Sequence, residues 1–149
     1  MLSTNGALPT PDADTWNDPR ALRMEQPGAN GVTSARSLAR MYAATVGEVD
    51  GVRLLPDATV EAARAEQVFG ADRVLMSPSR FGSGSMLHHA GLPLLGESSF
   101  GHQGAGGALG SADVENRVGF GYAQDQLGAS LVGEPRTAAL IDAGRASLG

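Results

Sequence analysis

The chain contains no lysine and no cysteine, and each absence excludes a class of chemistry. All 11 basic residues are arginine, so these 149 residues hold no Schiff-base lysine, P-loop lysine or lysine general base. The lack of cysteine excludes disulfides, thiolate metal sites and a cysteine nucleophile. Aromatic residues make up only 5%, so the core must rest on Leu, Val, Ala and Met.

Positive charge and long apolar runs are also scarce. The net charge of −5 and the pI near 5.0 argue against nucleic acid or an anionic membrane as a partner, because both select a basic surface. No apolar run approaches the roughly 20 residues that span a bilayer, and the first residues lack the features of a signal peptide. As written, the chain is expected to be cytoplasmic, with any targeting signal lying upstream of Met1.

The order of predicted elements indicates an α+β fold within one partial domain, residues 1–149. Residues 1–31 are rich in Pro, Asp and Gly and predict mostly loop, with a short helical turn at Asp18–Met24. The helical part, 32–70, contains two predicted helices, at 33–46 and 56–67. An antiparallel meander and a C-terminal helix fill residues 78–149. The predicted strands are 80–87, 99–103, 108–112 and 118–123, and the helix runs from Glu134-Pro135 to near Gly144.

Glycines in the last predicted strand occupy one face. Gly119 and Gly121 alternate with Val118, Phe120 and Tyr122, which share the opposite face. A face without side chains lets a helix pack closely, so we expect one there and place Tyr122 in the core.

No self-sufficient catalytic signature is present. The nucleophile elbow G-x-S-x-G is missing, since its nearest match, Gly96–Phe100, ends in Phe. Adjacent His88 and His89 would point to opposite faces of a strand, and we expect both to be partly exposed residues at a loop or strand end. No metal site and no cofactor are predicted.

The segment Phe100–Gly107 differs from the rest of the chain. A predicted strand with a polar tip at His102 runs into Gly104-Ala105-Gly106-Gly107. Backbone N–H groups in such a turn can face a developing oxyanion, as acyl-transfer sites require, although the same pattern also fits a plain glycine-rich hairpin.

Three segments resemble the serine β-lactamase-related hydrolases, which include class C β-lactamases, DD-peptidases among the penicillin-binding proteins, and lactamase-fold esterases. Phe100–Asp113 followed by Arg117–Tyr122 is similar to the C-terminal region of that family. Gly28–Tyr42 is similar to a segment that enters a helix of its helical region, and Arg80–Gly84 to its Phe-Gly-Leu-Gly strand. The resemblance covers residues 17–145 in the family's order and implies the C-terminal part of that fold.

The resemblance also implies roles for individual residues. Of the family's three motifs, Ser-x-x-Lys, Tyr-x-Asn and Lys-Thr-Gly, only the third is matched, by His102-Gln103-Gly104. His102 would polarise the site or orient substrate, and the Ala105 backbone N–H would supply one oxyanion donor. Gln103, Gly104 and Gly106 would contact substrate. Histidine in place of the family's lysine favours the esterase-like members.

The two missing motifs limit the expected activity. Ser-x-x-Lys is impossible without lysine, and neither Tyr42-Ala-Ala nor Tyr122-Ala-Gln is Tyr-x-Asn. The resemblance therefore implies the C-terminal portion of a serine hydrolase that cleaves esters, amides or lactams through an acyl-enzyme, inactive by itself.

Two alternatives remain open, together with one expectation about assembly. The chain could be a non-catalytic binding or regulatory module that pairs with another chain, or an unconventional hydrolase using a local serine with His102 and Asp113. Because the family's sheet takes further strands from its N-terminal part, we also expect self-association through an exposed sheet edge.

Overall fold

The computed structural model describes residues 17–25, 27–28, 31–130 and 132–149, which fall into two compact units, Met1–Thr33 and Ser34–Gly149. In the first unit, helix α1 (Pro19–Leu22) follows Asp18, whose carboxylate accepts a hydrogen bond from the Arg20 backbone N–H at 2.8 Å. The predicted helical turn is therefore present but shorter. The part of the predicted loop before residue 17 lies outside the described residues.

The second unit is a six-stranded antiparallel sheet with three helices. Every strand pairs with the next strand in the chain, so the sheet is a meander with β1 and β6 at its edges. This arrangement confirms the α+β fold class. The elements are α2 (Ala35–Val46), α3 (Asp57–Arg64), β1 (Val68–Ala71), β2 (Pro78–Phe81), β3 (Met86–Leu87), β4 (Ser99–Gln103), β5 (Leu109–Asp113), β6 (Val118–Tyr122) and α4 (Pro135–Ser147).

Two predicted elements differ from the structure. The predicted strand 80–87 is a hairpin in which Phe81 pairs with Met86, and the Gly82 N–H donates to the Ser85 carbonyl at 2.9 Å. Gly84, at φ +84°, allows this turn. The second helix ends at Arg64, and the exposed strand β1 follows where helical structure was predicted. The four residues of β1, Val-Phe-Gly-Ala, include no polar side chain, so they show no alternation of polar and apolar residues that would predict a strand.

Helix α2 packs directly on the glycine face of the sheet, as the alternation in β6 predicted. A Cβ atom on Gly119 would lie 2.2 Å from the Ala39 carbonyl oxygen, and one on Gly121 would lie 2.3 Å from that of Ala35. The Ser34 hydroxyl caps α2 by accepting from the Ser37 backbone N–H at 3.2 Å. Helix and strand backbones therefore touch without intervening side chains.

Apolar clusters cover both faces of the sheet. On the α2 and α3 side the buried residues are Val46, Val60, Leu87, Phe100 and Ala112. On the α4 side they are Leu94, Leu95, Leu109 and Ile141, with Val118 and Phe120 packed against them. Tyr122 is half-buried.

Helix α4 continues past its predicted end at Gly144. A Cβ atom at Gly144 would lie 2.9 Å from the Leu95 side chain, so this glycine serves close packing instead of ending the helix. Within the described residues, no helix has the length and apolar character needed to cross a membrane.

Candidate active site

His102 lies near the end of β4 and is exposed. It pairs with Gly110 of β5, and its ring centroid is 6.2 Å from that of Phe81. Its Nδ1 is 2.7 Å from the carbonyl oxygen of Gln103. Because a carbonyl can only accept, this contact places a proton on Nδ1 and leaves the Nε2 of a neutral ring as a hydrogen-bond acceptor.

The turn after β4 presents Ala105 at its tip. The Gly104 N–H donates to the Ala108 carbonyl at 2.7 Å, and the Gly107 N–H donates to the Gly104 carbonyl at 3.1 Å. Gly106 and Gly107 have φ values of +83° and +115°, which side-chain-bearing residues rarely adopt. Ala105 is exposed, and among the contacts of the described residues its N–H has no intramolecular acceptor. That N–H is therefore free to bind an anion.

A second loop, residues 127–130, contacts the turn at Gly106. The Gly106 N–H donates to the Ser130 carbonyl at 2.9 Å, and the Gly128 N–H donates to the Gly106 carbonyl at 2.8 Å. The Leu127 side chain lies so close to Gly106 that a Cβ atom there would come within 2.7 Å of it. The conformation of the turn thus depends on residues more than 20 positions later in the chain.

Gln103 lies on the other face of β4 from His102, because successive residues of a strand alternate. Its side chain is buried, and its Oε1 accepts from the Gly133 N–H at 2.8 Å. Gln103 therefore anchors the segment before α4, and the structure separates its side chain from the exposed side of His102.

Asp113 is fully buried at the far end of β5, three positions from the residue that pairs with His102, or about 10 Å. Its carboxylate accepts from the Ser99 hydroxyl at 2.7 Å, the Ser98 hydroxyl at 3.0 Å, and the Asn116 backbone and side chain. Burial raises the pKa of Asp113, but these hydrogen bonds together outweigh it and hold the pKa below its usual value. The structure does not bring a serine, His102 and Asp113 together.

Both His88 and His89 were predicted to be partly exposed, and the structure differs from this prediction at His89. His88 is partly buried, but His89 is buried, because its strand-like pairing with Leu92 turns the ring inward against Phe69. The His89 Nδ1 accepts from the Gly91 N–H at 3.2 Å. Burial lowers the pKa of His89, as do the positive charges of His88 and Arg80. In the parts of the chain that the structure describes, no three His, Asp or Glu side chains form a group able to hold a metal ion.

The start of α4 contributes residues that the sequence did not identify. The Thr137 hydroxyl donates to the Gly107 carbonyl at 2.5 Å, and Glu134 caps the helix beside the same glycine. Glu134-Pro135 signalled a helix start, but no local pattern indicated that this helix would contact a turn 30 residues earlier.

Comparison with known proteins finds a family model that matches most of the chain and a protein with a similar sequence. A family model described as Beta-lactamase matches residues 3–143. The chain is 39% identical over 115 residues to the esterase/beta-lactamase LipL of Mycobacterium tuberculosis, covering 74% of this chain and 26% of that protein.

Two solved structures are similar to it. A family VIII carboxylesterase matches with 32% identity and a TM-score of 0.83, over 97% of this chain and 39% of that one. A penicillin-binding protein homolog from Caulobacter crescentus matches with 35% identity and a TM-score of 0.78, over 91% and 36%. The chain thus spans between a quarter and two fifths of the length of these relatives.

Proposed function

Since the chain belongs to the beta-lactamase family, whose model matches residues 3–143, we propose that it forms the oxyanion-side wall of a serine-hydrolase site, supplied by the C-terminal part of the fold. The observation that carries this proposal is the exposed residue Ala105 at the tip of a turn held on its other side, whose N–H has no acceptor among the described residues. A donor fixed before reaction stabilises developing negative charge without the cost of reorientation.

Each residue of the turn has a role in this proposal. The Ala105 N–H donates to the oxyanion of the tetrahedral intermediate, and the Nε2 of His102 orients substrate or polarises the site. Gly104 is partly exposed and lets the substrate approach the backbone because it carries no side chain, whereas Gly106 packs against Leu127 and fixes the turn that borders the substrate. Gln103 acts through its bond to Gly133, which supports the turn, and its backbone borders the substrate.

The chain alone is proposed to be inactive. None of its 149 residues is a lysine, so it holds no Ser-x-x-Lys nucleophile motif. Groups that act as a unit lose nearly all rate enhancement when the nucleophile is removed. A complementary segment carrying the serine, the lysine and the tyrosine would complete the cleft.

Esters are the substrate class that we propose for the completed site, ahead of amides and lactams. Two relatives are named as esterases, one of them also as a β-lactamase. His102 is the second support, because a histidine in place of the family's lysine resembles the esterase-like members.

Hydrolysis of a chromogenic nitrophenyl ester tests the proposal. The chain alone should give no saturable turnover, whereas the chain mixed with the separately produced N-terminal part of the carboxylesterase relative should. A complement with its motif serine replaced by alanine is the control and should stay inactive. Saturable turnover by the chain alone, with stoichiometric labelling of one of its own serines by a fluorophosphonate, would contradict the proposal.

The second candidate is a binding or regulatory module that acts without catalysis. The two edge strands of the described sheet favour it, because β1 and β6 each leave one side without a pairing strand. A module would bind a partner or a second copy through such an edge and would not restore hydrolysis to any complement. The complementation assay therefore separates the two functions.

A further inference from the structure

Thr137, in the first turn of α4, contacts the rear of the candidate oxyanion turn. Its side chain is 1% exposed, and its hydroxyl donates to the Gly107 carbonyl at 2.5 Å. Gly107 is buried as well, and among the described contacts its carbonyl accepts from no other donor, so this carbonyl depends on Thr137 for its partner.

A short chain of hydrogen bonds connects Thr137 to the Ala105 N–H. Thr137 holds the carbonyl of Gly107, and the N–H of Gly107 donates to the Gly104 carbonyl at 3.1 Å. The Gly104 carbonyl and the Ala105 N–H belong to one planar trans peptide unit, so they point in opposite directions. Because the Gly104 carbonyl is held towards the Gly107 N–H, across the turn, the Ala105 N–H points away from the turn.

Thr137 is itself held in place by the helix cap. The Glu134 carboxylate accepts from the backbone N–H groups of Arg136 at 2.9 Å and Thr137 at 3.3 Å, and it pairs with the Arg136 guanidinium at 2.7 Å. A Cβ atom on Gly107 would lie 3.0 Å from the Glu134 side chain. The helix start and the turn are therefore in direct contact, with little space for Thr137 to shift.

We infer that Thr137 is a positioning residue, which sets the direction of the Ala105 N–H without touching substrate. The inference rests on the proposed function, because it assigns Thr137 a task only if Ala105 is the oxyanion donor. Its geometric part, the dependence of the turn on the Thr137 hydroxyl, can be tested in the chain alone.

Three variants make the test specific. Thr137→Val keeps the side-chain shape and removes the hydroxyl, and Thr137→Ser keeps the hydroxyl and removes the methyl group. Thr45→Val is the matched control, because the Thr45 hydroxyl also donates to a backbone carbonyl, that of Tyr42 at 2.6 Å, away from the turn.

The first measurement is amide NMR on the chain alone. Thr137→Val should shift the amide resonances of Ala105 and Gly107 and raise the hydrogen-exchange rate of Gly107 about tenfold. Thr137→Ser and Thr45→Val should leave both amides in place. Unchanged amides in Thr137→Val would overturn the inference, as would a shift in Thr137→Ser as large as that in Thr137→Val. If Thr137→Val does not fold, the amides of Thr137→Ser decide: retention supports the inference and displacement overturns it.

The second measurement is ester hydrolysis by the complemented pair. Thr137→Val should lower kcat by about 10- to 100-fold with KM changed less than about twofold, since only the transition state carries the oxyanion. Thr137→Ser should restore kcat. If the wild-type pair is inactive while the amides respond as expected, the proposed function fails and the geometric role of Thr137 stands. If the pair is active but Thr137→Val retains full kcat, the inference fails alone.

Discussion

Gln103 and Gly133 are joined by a hydrogen bond of 2.8 Å from the Gly133 N–H to the Gln103 side-chain oxygen, across 30 positions of the sequence. The bond connects the last residue of β4 to the segment that leads into α4. Gln103, the neighbour of His102 in β4, therefore fixes the segment that leads into α4. Adjacent residues of β4 thus have different tasks, because His102 is exposed on one face and Gln103 is buried on the other.

Replacing Gln103 with leucine should destabilise the chain by about 1 kcal/mol, because the hydrogen bond between the buried Gln103 side chain and the N–H of the exposed Gly133 is lost. Urea unfolding followed by circular dichroism measures this change. Gln67→Leu is the control, since Gln67 is exposed and its side chain donates to the carbonyl of the nearby Ala65. Equal unfolding midpoints for the two variants would show that the Gln103–Gly133 bond contributes no stability.

Gly119→Ala should destabilise the chain by about 1–3 kcal/mol, because the added methyl group would collide with the backbone of α2 and force the helix away from β6. Gly70→Ala is the matched control, since a Cβ atom there meets no atom within 4 Å, and it should change stability by less than about 0.5 kcal/mol. Both variants can be compared by denaturant midpoint. Full stability of Gly119→Ala would contradict the close contact of helix and strand.

Acid should destabilise the chain through His89. Its pKa is lowered in the fold, so below about pH 6.5, the ordinary value for histidine, the unfolded chain binds more protons than the folded one. Stability is then lost as pH falls through 6.5 towards the lowered pKa of the folded state.

His89→Asn tests the pH dependence, because its side-chain oxygen can accept from the Gly91 N–H in place of Nδ1 but does not titrate. The free energy of unfolding of this variant should fall less between pH 7 and pH 5 than that of the wild type. A profile that is the same with and without His89 would refute the prediction.

Strand β1 is the sheet edge at which we expect the chain to self-associate. Val68 and Phe69 are each 56% exposed on it, and an exposed apolar edge strand can pair with another chain. Sedimentation should show an average mass that rises with concentration, and Val68→Lys should lower it. Met41→Lys changes an apolar residue on α2 that is 45% exposed and should have no such effect. An equal reduction of the average mass by both variants would indicate nonspecific apolar association instead of pairing between edge strands.

Local patterns predicted the parts of the fold that depend on neighbouring residues. The bounds of β4 were predicted at 99–103 as observed, and the alternation of Gly119 and Gly121 predicted a close helix. The prediction failed at β2 and β3, where one continuous strand was predicted although Gly82-Ser83-Gly84-Ser85 is a turn-forming sequence, and Phe81 pairs with Met86 across that turn. It also failed at His89, whose backbone pairs with Leu92 and whose ring contacts Phe69 of β1, which is distant in sequence.

In the candidate site, too, the sequence predicted what depends on neighbouring residues and missed what depends on residues far apart in the chain. The sequence located the His102–Gly107 turn because its residues are consecutive, and family resemblance assigned their roles. It did not locate Thr137, because the bond to Gly107 forms only after the chain has folded α4 against the turn. The residues that form the turn lie within one segment, whereas the residues that hold it in place come from positions 127 to 137.

The strand order of the sheet has a consequence for how the chain folds. Because each strand pairs with the one just before it, the sheet can grow one hairpin at a time with short loops to close, which favours rapid assembly. Helix α2 is the exception, since its glycine-lined docking face on β6 is made about 75 residues after the helix itself. The side of α2 that packs on β6 must therefore remain uncovered until β6 has formed.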